Sequence, residues 1–307
     1  MTTPTTGHPR AADGEGMVMR VLLATDGSEE ARAAATWVAS CPLPPDASLR
    51  VVTAVTVPTS ALDVPAVLDF QQSLRDEAGS VAETTRAQLA TRFPRAEIRV
   101  PEGDPRDEIL RLADEWPADL LVVGARVLGR LAGFVMGSVS LGVARHALCP
   151  VLVVKGRAAL LQTILIALDG SEQAAAAAAF VARLPLTSAI KVRLLGVVEA
   201  PRSPPSAPPA LTAQLRTGLH RIIEERQAAL RPALAGVAAA FAARGIAAES
   251  RVVVGHPADE IVRAAEGADL VVVGARGLGV FKRLLLGSVS EAVLRHVDRP
   301  VLVVRGG

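Results

Sequence analysis

The sequence predicts an α/β protein built from two tandem domains, each a doubly wound, Rossmann-like fold around a five-stranded parallel sheet. Three observations support this prediction: an internal repeat, a regular alternation of short apolar runs with longer amphipathic segments, and the chain length. A chain of 307 residues exceeds the ~100–200 residues that one domain commonly holds. Strands that are apolar throughout and separated by helices are typical of a parallel sheet covered on both faces.

The internal repeat covers almost the whole chain. The segment VLLATDGSEEA, which starts at Val21, matches ILIALDGSEQA, which starts at Ile164, and both halves end on Pro-Val-Leu-Val-Val followed by a cation, Lys155 or Arg305. The spacing between matched residues changes only in predicted loops, so the halves are two copies of one fold. We therefore predict a disordered N-terminal tail over residues 1–16, a first domain over 17–158 and a second domain over 159–307.

The helices and strands of the first copy follow from this pattern in order. Ser28 and, in the second copy, Ser171 precede Ala-rich segments and are predicted N-caps, while Pro105 and Pro257 suit the first turn of a helix. Pro232 is expected to kink or break the long second helix of the second copy, because proline has no N–H to donate. The predicted strands are 21–24, 49–55, 96–100, 120–123 and 151–154, and the predicted helices are 29–39, 67–92, 105–115 and 138–147.

Composition and charge exclude several classes of protein. Half of the residues are hydrophobic, aromatic residues make up 3%, and the formal net charge is +2, so neither a basic face nor stacking aromatics indicate nucleic-acid binding. No apolar run reaches the ~18–20 residues of a membrane span, and residues 1–16 lack the apolar segment of a secretory signal. Cys41 and Cys149 are not repeated between the copies, which fits a reducing compartment better than a disulfide framework. These features predict a soluble, cytoplasmic protein that binds neither nucleic acid nor membranes.

Four segments of each copy are expected at one edge of its sheet. In open α/β sheets, ligands bind outside the carboxyl ends of the strands, where the strand order reverses. The segments are an Asp-Gly-Ser turn after the first strand, the end of the second strand, a Gly-x-Pro after the third and a Gly-rich stretch after the fourth. Their convergence predicts a ligand site at this edge. Their leading residues are Asp26, Gly27, Val55, Gly103 and Gly124 in the first copy, and Asp169, Gly170, Val197, Gly255 and Gly274 in the second.

The Gly-rich stretch of the second copy, DLVVVGARGLGVFKRLLLGSVS from Asp269 to Ser290, has the features of an anion-binding loop. Its glycines are predicted to adopt positive φ and to bring the backbone close to a ligand. The N–H groups at the start of the following helix, at the positive end of its dipole, suit a phosphate. A simple helix cap is the alternative, because Ser288 and Glu291 have the spacing of a capping box.

In the second copy, Gly274 is followed by two residues, a second glycine, nine residues and then Gly-Ser. This order resembles the nucleotide-binding motif of the universal stress protein family. The resemblance extends over both copies and implies two domains of the adenine nucleotide alpha hydrolase-like type that bind ATP, with Mg²⁺ held through the phosphates. It implies that the aspartate and the Gly-x-Pro glycine of each copy lie at the nucleoside, and that the second-strand valine meets adenine through its backbone. The further candidate nucleotide-binding residues are Arg126, Gly137, Ser138, Val139 and Ser140 in the first copy, and Arg276, Gly277, Gly287, Ser288, Val289 and Ser290 in the second.

The two copies differ at one glycine of this motif. Val127 stands where the second copy has Gly277, and a β-branched residue forced to positive φ costs about 1–3 kcal/mol. Gly129, which matches Gly279, would compensate only in part. We therefore expect the second site to bind ATP more tightly than the first.

The resemblance leaves three functions open. The first is a nucleotide-binding regulator whose occupancy changes a surface seen by a protein partner during stress, the second is a slow ATPase, and the third is an interaction protein that binds no nucleotide. No catalytic or metal-ligating residue is assigned, and His146 and His296 are interpreted as structural residues in the last turns of their helices. The family implies antiparallel pairing of Val151–Val154 with Val301–Val304 within the chain, and it is compatible with a homodimer.

Overall fold

The computed structural model describes residues 18–57, 65–125, 136–156, 160–199, 209–277 and 286–306. The predicted tail, residues 1–16, lies outside the described residues. The first copy contains β1 (Arg20–Ala24), α1 (Glu29–Ser40), β2 (Ser48–Val52), α2 (Pro65–Leu89), β3 (Glu97–Arg99), α3 (Pro105–Glu115), β4 (Leu120–Gly124), α4 (Ser138–His146) and β5 (Val151–Val154). The second copy contains β6 (Thr163–Leu168), α5 (Glu172–Arg183), β7 (Lys191–Val198), α6 (Pro209–Ala242), β8 (Ala247–Val254), α7 (Pro257–Ala265), β9 (Leu270–Gly274), α8 (Ser288–His296) and β10 (Val301–Val304).

The described strands form one ten-stranded sheet in the order β3-β2-β1-β4-β5-β10-β9-β6-β7-β8. Each half is parallel, and the halves join where β10 pairs antiparallel with β5, with Leu302 opposite Leu152. This pairing of the last strands confirms the sequence-based expectation. Because the two halves run in opposite directions, the carboxyl ends of their strands lie at opposite edges of the sheet.

The described helices cover both faces of the sheet, and the core on each face runs through both halves. One core lies under α1, α2, α5 and α6 and contains Trp37 and Phe180. The other lies under α3, α4, α7 and α8 and contains Val143 and Val293. The doubly wound architecture predicted from the alternating pattern is therefore confirmed, with the cores of the two copies fused across the seam.

Local signals place most helix ends correctly. The Ser28 and Ser171 hydroxyls accept hydrogen bonds from the N–H groups of Ala31 and Ala174, as expected for N-caps. Pro232 was expected to kink or break α6. The predicted break is wrong, because α6 runs through this residue. Leu230 and Leu234, one on each side of the exposed proline along the chain, are buried. Their packing holds the helix on the sheet.

Two helix glycines occupy open space, so an added methyl group should be tolerated. A Cβ at Gly79 in α2 or at Gly236 in α6 would meet no atom within 4 Å. Because alanine loses less backbone entropy on folding, Gly79→Ala and Gly236→Ala should each raise the free energy of unfolding by about 0.5–1 kcal/mol. Urea denaturation measures this change. Gly124→Ala is the matched control and should destabilise the protein, because its Cβ would lie 2.5 Å from the Glu30 carbonyl carbon. Stabilisation by all three substitutions would contradict the expected packing.

The antiparallel seam is reinforced by two cations that cap helices of the opposite copy. Lys155, which follows β5 and is 3% exposed, donates from Nζ to the carbonyl oxygens of Leu294 and Val297 at the end of α8. Arg305, which follows β10, donates from Nη2 to the carbonyl oxygens of Ala144 and Arg145 at 2.9 and 2.6 Å, at the end of α4. Cations at these positions also favour the negative end of each helix dipole.

An ion pair at the seam joins the first turn of α8 to the last turn of α4. The Arg145 guanidinium lies 2.5 Å from Oε1 of Glu291, and Arg295 contacts the same oxygen at 2.9 Å. Partial burial opposes ionisation of Glu291, but its contacts with Arg145 and Arg295 outweigh burial and lower its pKa. The first copy has Leu141 where the second has Glu291, so the contact is not repeated at the other end of the seam.

Among the described residues, no helix combines the length and the apolar composition needed to cross a membrane.

Candidate functional site

The Asp-Gly-Ser turns follow β1 and β6 at the carboxyl edges of the two halves. Gly27 and Gly170 have φ of 73° and 81°, in the left-handed region that only glycine adopts at little cost. The Oδ1 atoms of Asp26 and Asp169 accept hydrogen bonds from the N–H two residues later, at 3.0 and 2.9 Å. Each turn thus holds its aspartate in a fixed orientation at the edge.

The end of the second strand differs from the prediction by one residue in the second copy. In the first copy the Val55 carbonyl accepts from the N–H of Gly103 at 3.0 Å; in the second copy the Val198 carbonyl accepts from the N–H of Gly255 at 3.1 Å. Val198, not Val197, is therefore equivalent to Val55. Because side chains alternate along a strand, Val197 belongs to the opposite face of the sheet.

Gly124 and Gly274 allow a helix to approach the end of the fourth strand. A Cβ at Gly274 would lie 2.9 Å from the Gln173 carbonyl carbon in α5, and Gly124 is placed in the same way against Glu30 in α1. Neither glycine has a positive φ, so the predicted left-handed conformation is wrong at both. These glycines are required for close packing rather than for backbone freedom.

Gly277 also serves close approach rather than positive φ. It is not among the described glycines with left-handed backbone, which corrects the prediction for this position. A Cβ at Gly277 would overlap Oδ2 of Asp169, so the present orientation of the Asp169 carboxylate requires glycine at this position. Val127 and Arg126 in the first copy, like Gly279 and Gly129, lie outside the described residues.

The helices that follow the Gly-rich stretches begin without a side-chain cap. Gly137 and Gly287 are the N-caps of α4 and α8, and neither helix start receives a capping hydrogen bond from a side chain of the described residues. The capping box predicted as the alternative is wrong, because Glu291 instead contacts Arg145 and Arg295. The N–H groups at the positive end of a helix suit an anionic acceptor.

The residues after these glycine caps divide into an outward and an inward set. Ser138 and Ser288 are exposed, and Val139 and Val289 are half-buried. Ser140 and Ser290 are buried, and their hydroxyls donate to the carbonyls of Gly124 and Gly274 at 2.9 and 2.6 Å. These two serines fix the helix starts to the strand ends, so their side chains serve the backbone, and only the outward set can meet a ligand with side-chain atoms.

Positive charge accompanies the helix start in the second copy. Arg276 follows β9 and is half-buried. Arg276 and Arg305 follow the neighbouring strands β9 and β10, in which Gly274 lies opposite Val304. Burial and, after it, the charge of Arg276 lower the pKa of Arg305. The described residues contain no cluster of three or more His, Cys, Asp or Glu side chains that could hold a metal ion. The uncapped start of α8 and the charge of Arg276 together suit an anion.

Two features of the first site were missed by sequence reasoning. The Thr25 hydroxyl accepts from the N–H of Gly27 at 3.3 Å and lies 3.4 Å from the Thr85 hydroxyl, whereas the second copy has Leu168 at the position of Thr25. Arg75 of α2 contacts Glu102, next to Gly103, at 2.5 Å. The role of Thr25 could have been noticed from the single difference between ATDGSE in the first copy and ALDGSE in the second. The contact of Arg75 with Glu102 joins residues too far apart in the sequence to be foreseen.

His146 and His296 have a structural role, in line with their interpretation. Their Nδ1 atoms each lie 2.8 Å from a backbone carbonyl oxygen one turn earlier, that of Gly142 and that of Ala292. Both rings are thus engaged with their own helices, away from the carboxyl edge of their own copy.

Comparisons with known proteins agree with the duplicated fold. The sequence profile of the Universal stress protein family matches residues 17–155 and 161–305. A universal stress protein of Mycobacterium tuberculosis strain H37Rv is 29% identical over 307 residues, which covers 93% of this chain and 96% of the relative. A universal stress protein of Thermus aquaticus is 38% identical over 141 residues, covering 45% of this chain and 100% of the relative. The crystal structure of a universal stress protein from Archaeoglobus fulgidus superposes with a TM-score of 0.65 at 23% identity, covering 94% of this chain and 98% of that one. The chain therefore belongs to the universal stress protein family and carries two of its domains in tandem.

Proposed function

We propose that this protein is a cytoplasmic, ATP-binding regulator of the stress response, with one nucleotide site at the carboxyl edge of each half. The observation that carries the proposal is the pair of helices that start at Gly137 and Gly287 without a side-chain cap. In each half this helix start follows the strand-four segment at the edge that also carries the Asp-Gly turn. Backbone amides and a helix dipole bind phosphate without needing a lysine.

In this proposal, a nucleotide bound to the second half would lie across the carboxyl edge. Asp169 would meet the ribose or adenine, the backbone of Val198 would meet the adenine, and Gly255 would border the nucleoside. The amides from Gly277 and from the start of α8 would hold the phosphates, with the Arg276 charge in support. Mg²⁺ would be bound through the phosphates, since the described side chains form no metal cluster of their own.

The second site is proposed to bind ATP more tightly than the first. Gly277 lets Asp169 reach the Gly-rich segment, and the first copy has Val127 at this position of the sequence. A side chain there would compete with the aspartate for the same space. Nucleotide bound at the second site would then be the form that changes the surface presented to a protein partner.

Release of nucleotide from the purified protein tests the proposal most directly. The protein is denatured, and the supernatant is examined by mass spectrometry for ATP and other adenine nucleotides. A Gly137→Glu/Gly287→Glu double variant is the control, because carboxylates at both helix starts would repel phosphate. We expect ATP from the wild type and none from the control. An empty wild type that also fails to bind added ATP with Mg²⁺ would overturn the proposal.

A steady-state turnover assay with Mg²⁺ separates the regulator from a slow ATPase. A regulator that works by occupancy keeps its bound ATP over many minutes, whereas an enzyme releases phosphate continuously. Catalytic phosphate release that the double variant abolishes would replace the binding role with hydrolysis.

A further inference from the structure

β8 forms one end of the ten-stranded sheet and, among the described strands, pairs with β7 alone. All of its residues, Ala247–Val254, are in register with β7, whereas β3 at the other end has three residues. A free strand edge presents N–H and C=O groups that can pair with another strand. In the described part of the sheet, β8 is the longer of the two free edges.

The backbone direction along β8 follows from its last hydrogen bond. The N–H of Gly255 donates to Val198 of β7. Because successive residues of a strand point their N–H and C=O groups to opposite sides, odd-numbered residues of β8 face β7. Ala248, Ser250 and Val252 therefore direct their N–H and C=O groups away from the sheet, toward a strand that is not part of the described chain.

Two opposite charges stand side by side along this edge. Glu249 and Arg251 are both exposed, and neither forms an ion pair with a described residue. Ala248 and Val252 pack on the core under α6, and Val253 packs on the opposite core. Since side chains alternate, Glu249 and Arg251 share the face of Val253, two residues apart.

We propose that β8 pairs antiparallel with β8 of a second copy of this chain, about a two-fold axis at Ser250. In this register Ser250 lies opposite the partner's Ser250, and Ala248 lies opposite the partner's Val252, so that the outward N–H and C=O groups of these three residues find partners. Glu249 then lies opposite the partner's Arg251 at a position without backbone hydrogen bonds, where side chains come closest. The same contact recurs across the axis, as an isologous interface requires.

The charges also select this register over its neighbours. A two-fold axis at Glu249 would place two carboxylates opposite each other, and an axis at Arg251 would place two guanidinium groups opposite each other. The other free edge, β3, does not offer the same contact, because Glu97 already pairs with Arg50 and Arg99 at 2.9 Å each. The inference concerns the edge strand alone and does not depend on nucleotide binding.

The test is the oligomeric state of the full chain, measured by sedimentation velocity over a range of concentrations at low ionic strength. Wild type should form a concentration-dependent dimer. Glu249→Arg alone and Arg251→Glu alone should each raise the dissociation constant by roughly tenfold or more, since both cross-strand pairs become repulsive. An equimolar mixture of the two variants should recover the dimer, because the arginines of one chain then face the glutamates of the other.

A backbone variant keeps the proposal falsifiable if the charges are screened. Ser250→Pro removes an outward N–H and leaves the ladder to β7 intact, so it should abolish the dimer without lowering the thermal stability of the monomer. A wild type that stays monomeric at every concentration overturns the proposal. So does a dimer that survives Ser250→Pro, or single charge variants that associate no better when mixed than when apart.

Discussion

Replacing Gly277 by valine is expected to weaken ATP binding at the second site by roughly ten- to hundredfold. A Cβ at this position overlaps Oδ2 of Asp169, so the aspartate must move away from the nucleoside or the loop must move away from the phosphates. The substitution reproduces the residue of the first copy, Val127. Isothermal titration of ATP with Mg²⁺ into wild type and variant measures the change.

Three further variants show whether the effect belongs to this contact. In a Gly137→Glu background, which leaves one working site, Gly277→Val should abolish most of the remaining affinity. Asp169→Ala combined with Gly277→Val should cost little more than either change alone, because both disrupt one contact. The reciprocal Val127→Gly, placed in a Gly287→Glu background, should strengthen binding at the first site. Full affinity in Gly277→Val would refute the assigned role of the glycine.

Raising the pH from 8 to 10.5 is expected to stabilise the wild-type protein relative to a Lys155→Met variant, by up to about 3 kcal/mol. Burial lowers the pKa of Lys155 from 10.5 to about 8. Between these values the unfolded chain still holds a proton that the folded chain has released, so the free energy of unfolding rises with pH. Asp298 offsets part of the effect of burial on this pKa, and the carbonyl that Lys155 caps also favours the charged form.

Urea denaturation of both proteins between pH 7 and pH 10.5 gives the difference in unfolding free energy directly. Burial raises the pKa of Cys41 and of Cys149 to about 12, and these thiols act in the opposite direction, but they are common to both proteins and cancel. Lys155→Arg is the matched control: it keeps a cation at the seam, as Arg305 does in the other copy, and it should remove the pH dependence. Equal slopes for all three proteins would contradict the assignment.

The central strands β4, β5 and β10 were predictable from sequence because they are buried on both faces and so are apolar almost throughout. β5 and β10 have the predicted bounds, and β4 extends one residue beyond its prediction. β2 ends at Val52 rather than at residue 55, where only an isolated bridge from Val55 to Glu102 remains. The continuity of α6 through Pro232 was missed, because tertiary packing of its flanking leucines outweighs the local preference of proline.

The site was predictable as a set of converging loops, but the reasons for its glycines were not. A sequence shows where side chains are missing, and it does not distinguish a left-handed backbone, as at Gly170, from a close neighbour, as at Gly274 and Gly277. The same limit explains the capping-box error: Glu291 had the right spacing for its own helix, but Arg145 from the other copy holds it. Long-range contacts decide which role such a residue takes, and the spacing of residues in the sequence does not reveal these contacts.

The antiparallel pairing of β5 with β10 within one chain affects how the two halves of this protein can diverge in evolution. In a dimer of identical single-domain chains, every substitution appears at both ends of the two-fold axis, so the two ligand edges remain copies of each other. Fusion in one chain lifts that constraint: Glu291 stands at one end of the seam and Leu141 at the other. The chain retains the geometry of a symmetric pair, yet a substitution at one carboxyl edge need not be repeated at the other, so the two edges can diverge independently.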